Sequence, residues 1–529
     1  MVTGIGLNHY PLVWVDEGWI AEVAAQAARG LPLGSPSHGT LYHYSDRLFW
    51  MPPLYFYELG GLFRVAGVDL LAGRWFNVFV GGLSTLALFF FLRRRTGSWA
   101  AWFAALFFAC DTFVWKSHRT IRFESLLTLF GVLLVIAVTA ALEREDEDRP
   151  THGAWFAAGL AAGLLVNVHP NALVWLAAVF AMAFVRRGPR LLRTGGAWMA
   201  LSLALLMALP YLFYLGTDAP NQFANVIGQN SYHLEHGAAE GWAPLREWKR
   251  WADFFVFPAR LPALLAWLAI TGLALRLMAG EGAVPAPGST PPDHHDSPTP
   301  VARQLAPWLA ALGTYITLLA LLPNKTLLYL AGATPFVAIL GALAWRDDEG
   351  GSRPERGAPV ERGAPVARGL SVAHGAPVAR SILIARGVLI AGMLASLIVN
   401  VGILWRSRDC RATQDLAAIR AVLQPDDRVA GTFVTWWATQ PVSAALPPRP
   451  FHEFSRGASL ESVARFDPTV IVLGDRQWEQ EVPTRFGPLD RALVADGGPL
   501  AARAPGLSLP NSCLGPIRLY ALRPADLKR

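Results

Sequence analysis

From Asp69 onward the chain alternates between apolar runs of bilayer-crossing length and short breaks that carry arginine, proline or glycine. A spanning helix needs about 20 predominantly apolar residues at 1.5 Å per residue. Ten such runs can be read, at about 70–92, 98–115, 121–142, 153–168, 170–185, 195–215, 259–279, 304–322, 327–345 and 387–405. The fourth and fifth are short and share the break Asn167-Val168-His169-Pro170-Asn171, which predicts a tight helical hairpin. Two stretches follow neither helical nor strand periodicity. Residues 280–302 are rich in Pro, Gly and Asp, and residues 356–380 degenerate from a repeat of Arg-Gly-Ala-Pro-Val-Glu. Such composition cannot bury a core, so 280–302 and 346–380 are expected to be disordered linkers.

Beyond residue 405 the apolar runs shorten to strand length. Arg428–Val434, Thr469–Leu473 and Ile517–Leu522 read as strands, and 414–423 and 459–465 as helices. The tail 406–529 is therefore expected to be a small α/β domain. Residues 1–69 form a first loop with juxtamembrane helices, and 70–405 form the transmembrane bundle.

Composition confirms the class and sets an orientation. Of 529 residues, 53% are hydrophobic and only 16% charged, against about a quarter charged in soluble domains. The net charge of +7 does not imply nucleic acid, because the basic residues are mostly arginines in short connections between apolar runs. If Arg93-Arg94-Arg95 is cytoplasmic, the inner connections hold 18 Lys/Arg and the outer ones 8. That bias puts 1–69 and 406–529 on the extracytoplasmic side of a cell membrane. An even number of spans with both ends outside predicts an upstream start or a further first span, and no cleavable signal peptide is visible at the start. Cys410 and Cys513 would both lie outside the reducing compartment, where they are read equally as a disulfide or as two thiols.

Charged groups at membrane depth or at a helix mouth cost several kcal/mol unless paired or used. Under this topology they gather on the outer rim: Asp16, Glu17, Lys116, His118, Arg119, Arg122, Glu124, His169, Lys325 and Tyr329. Asp16 and Glu17 are adjacent, so on a helix they point roughly 100° apart, and one can meet substrate while the other meets a metal or a helix end. The plainer reading makes Asp16 the N-cap of a helix from Glu17 to Arg29. Arg119 and Arg122 are expected on one helical face at the start of the third span, suited to gripping a phosphate or to snorkelling toward lipid headgroups. Glu124 opens an otherwise apolar run with no need of an acid. Lys325 and Tyr329, four apart, suit either a phosphate or interfacial anchoring. His169 is a turn residue or a functional group, and His294-His295 reads as a solvated pair. The outer loop 216–258, with Trp242, Trp248 and Trp251, would be an aromatic lid or would rest in the interface.

Taken in order, the acidic pair, Trp50-Met51-Pro52-Pro53-Leu54-Tyr55-Phe56-Tyr57, Gly73-Arg74-Trp75-Phe76-Asn77, the Arg122-Phe123-Glu124 helix start and Lys325 to Tyr329 resemble the polytopic lipid-linked sugar transferases of the GT-C fold. The nearest group looks like the one containing protein mannosyltransferases and the lipid A aminoarabinose transferase, and the likeness covers roughly residues 10–345. The resemblance implies a mainly α, GT-C-like transmembrane bundle with a small extracytoplasmic α/β domain. It implies a glycosyltransferase of the cell envelope that moves a sugar from a polyprenyl-phosphate donor to an acceptor hydroxyl on protein, lipid or glycan. Asp16 would be the catalytic acidic residue with Glu17 beside it. Lys325 would hold the lipid phosphate, helped by Tyr329, Arg119 and Arg122, with Glu124 and His169 in support. Some relatives use a divalent metal ion, for which Glu17 is the candidate ligand. Two departures stand out: no spanning helix precedes the acidic pair, and the usual third-span Asp is Glu124. The rival readings are a transporter or flippase, which would need broken polar helices at the bilayer midplane, and a non-catalytic envelope assembly protein that displays the tail.

Overall fold

The computed structural model describes residues 5–38, 45, 47, 51–216, 260–278, 300–321, 327–345, 375–441, 448–453, 466, 468–473 and 518–521. Lys325, His294-His295, Cys513 and residues 217–259, 346–374 and 459–465 lie outside them.

Each of the ten apolar runs contains a helix. After α1 (Val15–Ala28) and α2 (Leu54–Ala66) come α3 (Leu70–Thr96), α4 (Ser98–Cys110), the short α5 (Thr112–Ser117), α6 (Glu124–Asp146), α7 (His152–Val166), α8 (Ala172–Arg187) and α9 (Gly195–Gly216). They are followed by α10 (Leu261–Met278), α11 (Pro300–Leu321), a 3-10 turn Leu327–Gly332 that leads into α12 (Thr334–Trp345), and α13 (Gly375–Arg406). Eight of these segments are long and apolar enough to cross a membrane, while α4 and α7 are shorter. The chain is a multi-pass helical bundle. α6 and the segment 328–345 run through its middle, and α9 lies at its edge. Leu205, Leu209, Leu212 and Phe213 of α9 are exposed, as expected of a face that meets lipid rather than water.

Local chemistry sets the helix boundaries. Asp69 caps α3 by accepting from the Ala72 amide at 2.9 Å, and α3 ends at Gly97, whose φ of 85° a side chain would strain. The expected span 98–115 is instead broken at Asp111, because that carboxylate accepts the Phe113 and Val114 amides and starts a new helix. Trp267 Nε1 donates to its other oxygen at 3.1 Å. Residues 118–123 form turns, so Arg119 and Arg122 do not share a helical face as the spacing predicts. At the far end of the bundle, Arg95–Glu143 at 2.5 Å, Arg186–Asp146 at 2.6 Å and Arg187–Asp146 at 2.8 Å tie together the ends of α3, α6 and α8. α13 begins at Gly375, inside the stretch expected to be irregular, and α11 begins at Pro300, inside the other.

The tail adds α14 (Ala412–Val422), β1 (Val429–Gly431), α15 (Phe433–Thr439), β2 (Phe451–Glu453), β3 (Val470–Leu473) and β4 (Arg518–Ala521). Sheet order is β2-β1-β3-β4, parallel except for antiparallel β4, with Val429 beside Phe451 and Val470. The expected strand 428–434 stops at Gly431, because Thr432 turns the chain into α15, which buries Trp436 and Trp437. β2 has no clear signal in the sequence. Cys410 is disulfide-bonded and Cys110 is a buried free thiol.

The tail is stitched to the first residues of the chain. The Asn8 carbonyl and side chain accept the Ala412 and Thr413 amides at 3.2 and 3.0 Å, and Arg29 donates to Gln440 at 3.2 Å. α15 lies against α1 so closely that a Cβ on Gly18 would sit 2.1 Å from the Phe433 carbonyl. Backbone cannot yield as a side chain can. Gly18→Val is expected to cost at least about 1–3 kcal/mol, seen as a lower melting temperature and faster proteolytic release of the tail.

Within the same interface Glu22 is buried, accepting from Ser35 Oγ at 2.5 Å, the Ser37 amide at 3.2 Å and Ser37 Oγ. Desolvation outweighs those donors and pushes its carboxyl up from 4.5 to about 7. A folded value above the unfolded one means that the native state holds the proton more tightly. The stabilising contribution is therefore complete below about pH 4.5 and lost as pH rises through about 7. The melting temperature of the wild type should fall between pH 5 and 8, and Glu22→Gln should flatten that slope.

Candidate active site

The residues that position the site come from the first turn of α1, the first half of α3, the turns 118–123, the first turn of α6, the break between α7 and α8, and the turn Leu327–Gly332. Trp14, not Asp16, is the N-cap of α1, so both acids sit in the first turn. Their 100° divergence sends them to different tasks.

Glu17 is fully buried. Arg74 grips it in a two-pronged ion pair, Nε to Oε1 at 2.9 Å and Nη2 to Oε2 at 2.7 Å, while the Ile121 and Trp14 amides donate to the same oxygens at 3.0 and 3.1 Å. Arg74 spends its remaining prong on the Leu7 carbonyl at 2.7 Å. One carboxylate thus fixes α1, α3, the 118–123 turns and the chain start relative to one another. Where the sequence suggested chemistry or a metal for Glu17, the structure places four donors on its two oxygens. Arg74 is the residue the sequence reading missed. Its signal was a charge in the second turn of an otherwise apolar span.

Asp16 is about a third exposed, with a side-chain accessibility of 37%. Its Oδ2 pairs with Arg122 Nη1, and Oδ1 has no partner among the described residues. Arg122 is itself buried and doubly held by Glu124, through Nε at 2.8 and 3.1 Å and Nη2 at 2.8 Å. One guanidinium therefore sits between two carboxylates, and Glu124 explains its place at the head of an apolar helix: it anchors Arg122. Trp14 lies against Arg122, 4.8 Å from its centroid, with the Lys116 ammonium 5.8 Å from the same ring. Lys116 forms no ion pair among the described residues. Burial, then the charges of Arg260 and Arg122, lower its pKa.

Phe123 stacks on His169 at 4.0 Å, and His169 Nε2 lies 3.3 Å from Tyr329 Oη. The Asn171 amide donates to His169 Nδ1 at 3.0 Å, so the ring proton belongs on Nε2, where it is donated to Tyr329. Burial and the Arg122 charge hold His169 well below its ordinary pKa, which agrees with a neutral ring. Beneath them Asn77 donates to Tyr55 Oη at 2.9 Å and accepts from Ser125. These contacts connect the Tyr55 and Asn77 stretches of the sequence to the same floor.

Arg119 is held by backbone. It donates to the Ile5 carbonyl at 2.7 Å and the Tyr10 carbonyl at 2.6 Å and lies over Trp115 at 4.4 Å. That engagement ties Arg119 to the backbone of residues 5–10. Asp16, Arg122, Glu124, His169 and Tyr329 come together as expected, Lys116 joins them, and Lys325 lies outside the described residues. The described carboxylates do not fit a divalent ion. Both oxygens of Glu124 and of Glu17 are taken by arginine, and the described residues contain no group of three or more His, Cys, Asp or Glu side chains placed to hold one.

This bundle, with its acidic first loop against the third-span mouth and a small sheet beyond the last helix, has the GT-C fold. The chain aligns with ArnT from Cupriavidus metallidurans in its apo state over 91% of its own length and 92% of that chain, at 13% identity and a TM-score of 0.58. ArnT bound to undecaprenyl phosphate aligns over 91% and 93%, at 13% identity and a TM-score of 0.59. An oligosaccharyltransferase from Archaeoglobus fulgidus, solved with zinc and sulfate, aligns over 93% and 70%, at 11% identity and a TM-score of 0.52. Within the sequence, residues 51–214 match the family model of dolichyl-phosphate-mannose-protein mannosyltransferases. No curated protein matches the sequence significantly.

Proposed function

We propose that this chain is a membrane glycosyltransferase that moves a sugar from a polyprenyl-phosphate donor to an acceptor hydroxyl, with Asp16 as the base. The observation that carries this reading is the half-open Asp16 held by Arg122 at one rim of a fold shared with a protein that binds undecaprenyl phosphate. The Lys/Arg bias supports an extracytoplasmic position for that rim, in the cell membrane.

In the transfer, the acceptor oxygen forms a bond to the anomeric carbon as the bond from that carbon to the phosphate oxygen breaks. The hydroxyl proton goes to Asp16 Oδ1, the oxygen that Arg122 leaves open. Arg122 orients the carboxylate and is itself fixed by Glu124, so the base is held in place before substrate arrives. The departing polyprenyl phosphate needs positive charge at headgroup level. Lys116 supplies it as a mobile point charge, and Lys325 and the Tyr329 hydroxyl are assigned to the same phosphate. Trp14 offers an apolar face beside them for the sugar ring.

Purified protein incubated with a panel of polyprenyl-phosphate sugars and hydroxyl acceptors, read by mass spectrometry, tests this reading. Release of polyprenyl phosphate coupled to glycosylated acceptor is expected for at least one donor. No turnover with any donor, alongside transport of an intact lipid-linked substrate in vesicles, would replace it with the flippase reading.

A further inference from the structure

At the rim opposite Asp16 the bundle opens a cavity of about 1460 Å³, lined by α3, α6, α8, α10, α11 and α12. Arg74 and Arg94 lie 20 positions apart on α3, roughly 30 Å at 1.5 Å per residue, which is one hydrocarbon thickness. The two rims therefore sit at the two headgroup levels. Among the described residues, the mouth of this cavity carries six arginines against three acids. Glu143, Asp146 and Glu147 are each paired, with Arg95, Arg186 and Arg149, so the wall keeps an excess of positive charge to which exposed Arg94 and Arg144 contribute. The rest of the lining is largely apolar, with Phe91, Ile136, Trp308, Ile339 and Leu343. In that wall Thr139 Oγ1 is buried with no hydrogen-bond partner among the described residues, an arrangement that costs stability unless an acceptor arrives.

We propose that this cavity binds an anionic phospholipid, with its phosphate among the arginines and its glycerol ester region and chains along the apolar wall. A positive mouth at headgroup level over a hydrocarbon-lined depth matches an amphipathic anion. A soluble anion would leave the apolar lining empty, and a zwitterionic lipid would leave the excess charge unmatched. The inference does not depend on the transferase reading, and its test needs no sugar donor.

The test uses the full chain in nanodiscs containing a photoactivatable phosphatidylglycerol or the matching phosphatidylcholine, with cross-links mapped by peptide mass spectrometry. Labelling by the anionic probe is expected on α3, α6 and α11 peptides that line the cavity, at least about fivefold above the zwitterionic probe. Unlabelled phosphatidylglycerol should compete and millimolar inorganic phosphate should not. Arg94→Glu with Arg144→Glu should lower the labelling at least about fivefold. Leu343→Trp, which adds bulk to the apolar lining and leaves the charges in place, should lower it too, with unchanged melting temperature in both variants. Equal labelling by both probes, displacement by free phosphate, or labelling unchanged in both variants would overturn the proposal.

Discussion

Replacing Glu17 with glutamine is expected to cost the protein more stability than any other single change at the rim, about 3–5 kcal/mol. The substitution keeps the shape and removes the charge. Arg74 would then be a buried cation without its counter-charge, in a place with zero exposure for both partners. Glu17 also accepts the Ile121 and Trp14 amides, so the same change loosens the register of the 118–123 turns against α1. Arg74→Met should do comparable damage by stranding the carboxylate. The double variant Glu17→Gln/Arg74→Met should melt higher than either single one, because neither partner then carries an unmatched charge. Melting curves in detergent check this. A double variant worse than both singles would show that the pair acts through something other than its charge.

The second large effect falls on activity and spares the fold. Asp16→Asn should lower transfer by about 10²–10⁴-fold, the range for losing a positioned general base, with donor KM changed little and the melting curve near that of wild type. Its side chain is more than a third open to solvent, and buried Arg122 keeps its second counter-charge on Glu124, so the fold is expected to lose little. Turnover measured as glycosylated product, beside melting of the same preparation, separates the two neighbouring acids: one substitution stops chemistry and the other unmakes the site. Wild-type rates in Asp16→Asn would remove this residue from the mechanism.

The bundle was readable in the sequence because a bilayer imposes a single length and composition on anything that crosses it. All ten runs therefore announce themselves, even the two too short to span alone. The boundaries that failed were those decided by a side chain acting on backbone. Asp111 divides an apolar run because its carboxylate caps the next helix, and hydropathy carries no trace of that. The site was half legible for a related reason. Charges in apolar surroundings pointed to Asp16, Arg122 and Glu124, and these do meet. Which acid is buried and which is open depends on how α1 is rotated against α3 and α6, a tertiary fact that period and spacing leave undetermined. Arg119 shows the same limit: its position at a span mouth suggested a phosphate, and the backbone carbonyls of Ile5 and Tyr10 reached it first.

Most directly at stake is the claim that Asp16 and Lys116 face a lipid phosphate at their shared rim. The decisive measurement is a cryo-EM structure of the full chain with bound polyprenyl phosphate. Phosphate density between Lys116 and the Tyr329 hydroxyl, with Asp16 Oδ1 facing the space where the sugar would be attached, is the expected result. Polyprenyl phosphate bound only at the arginine-lined rim, with the Asp16 side empty, would contradict the account.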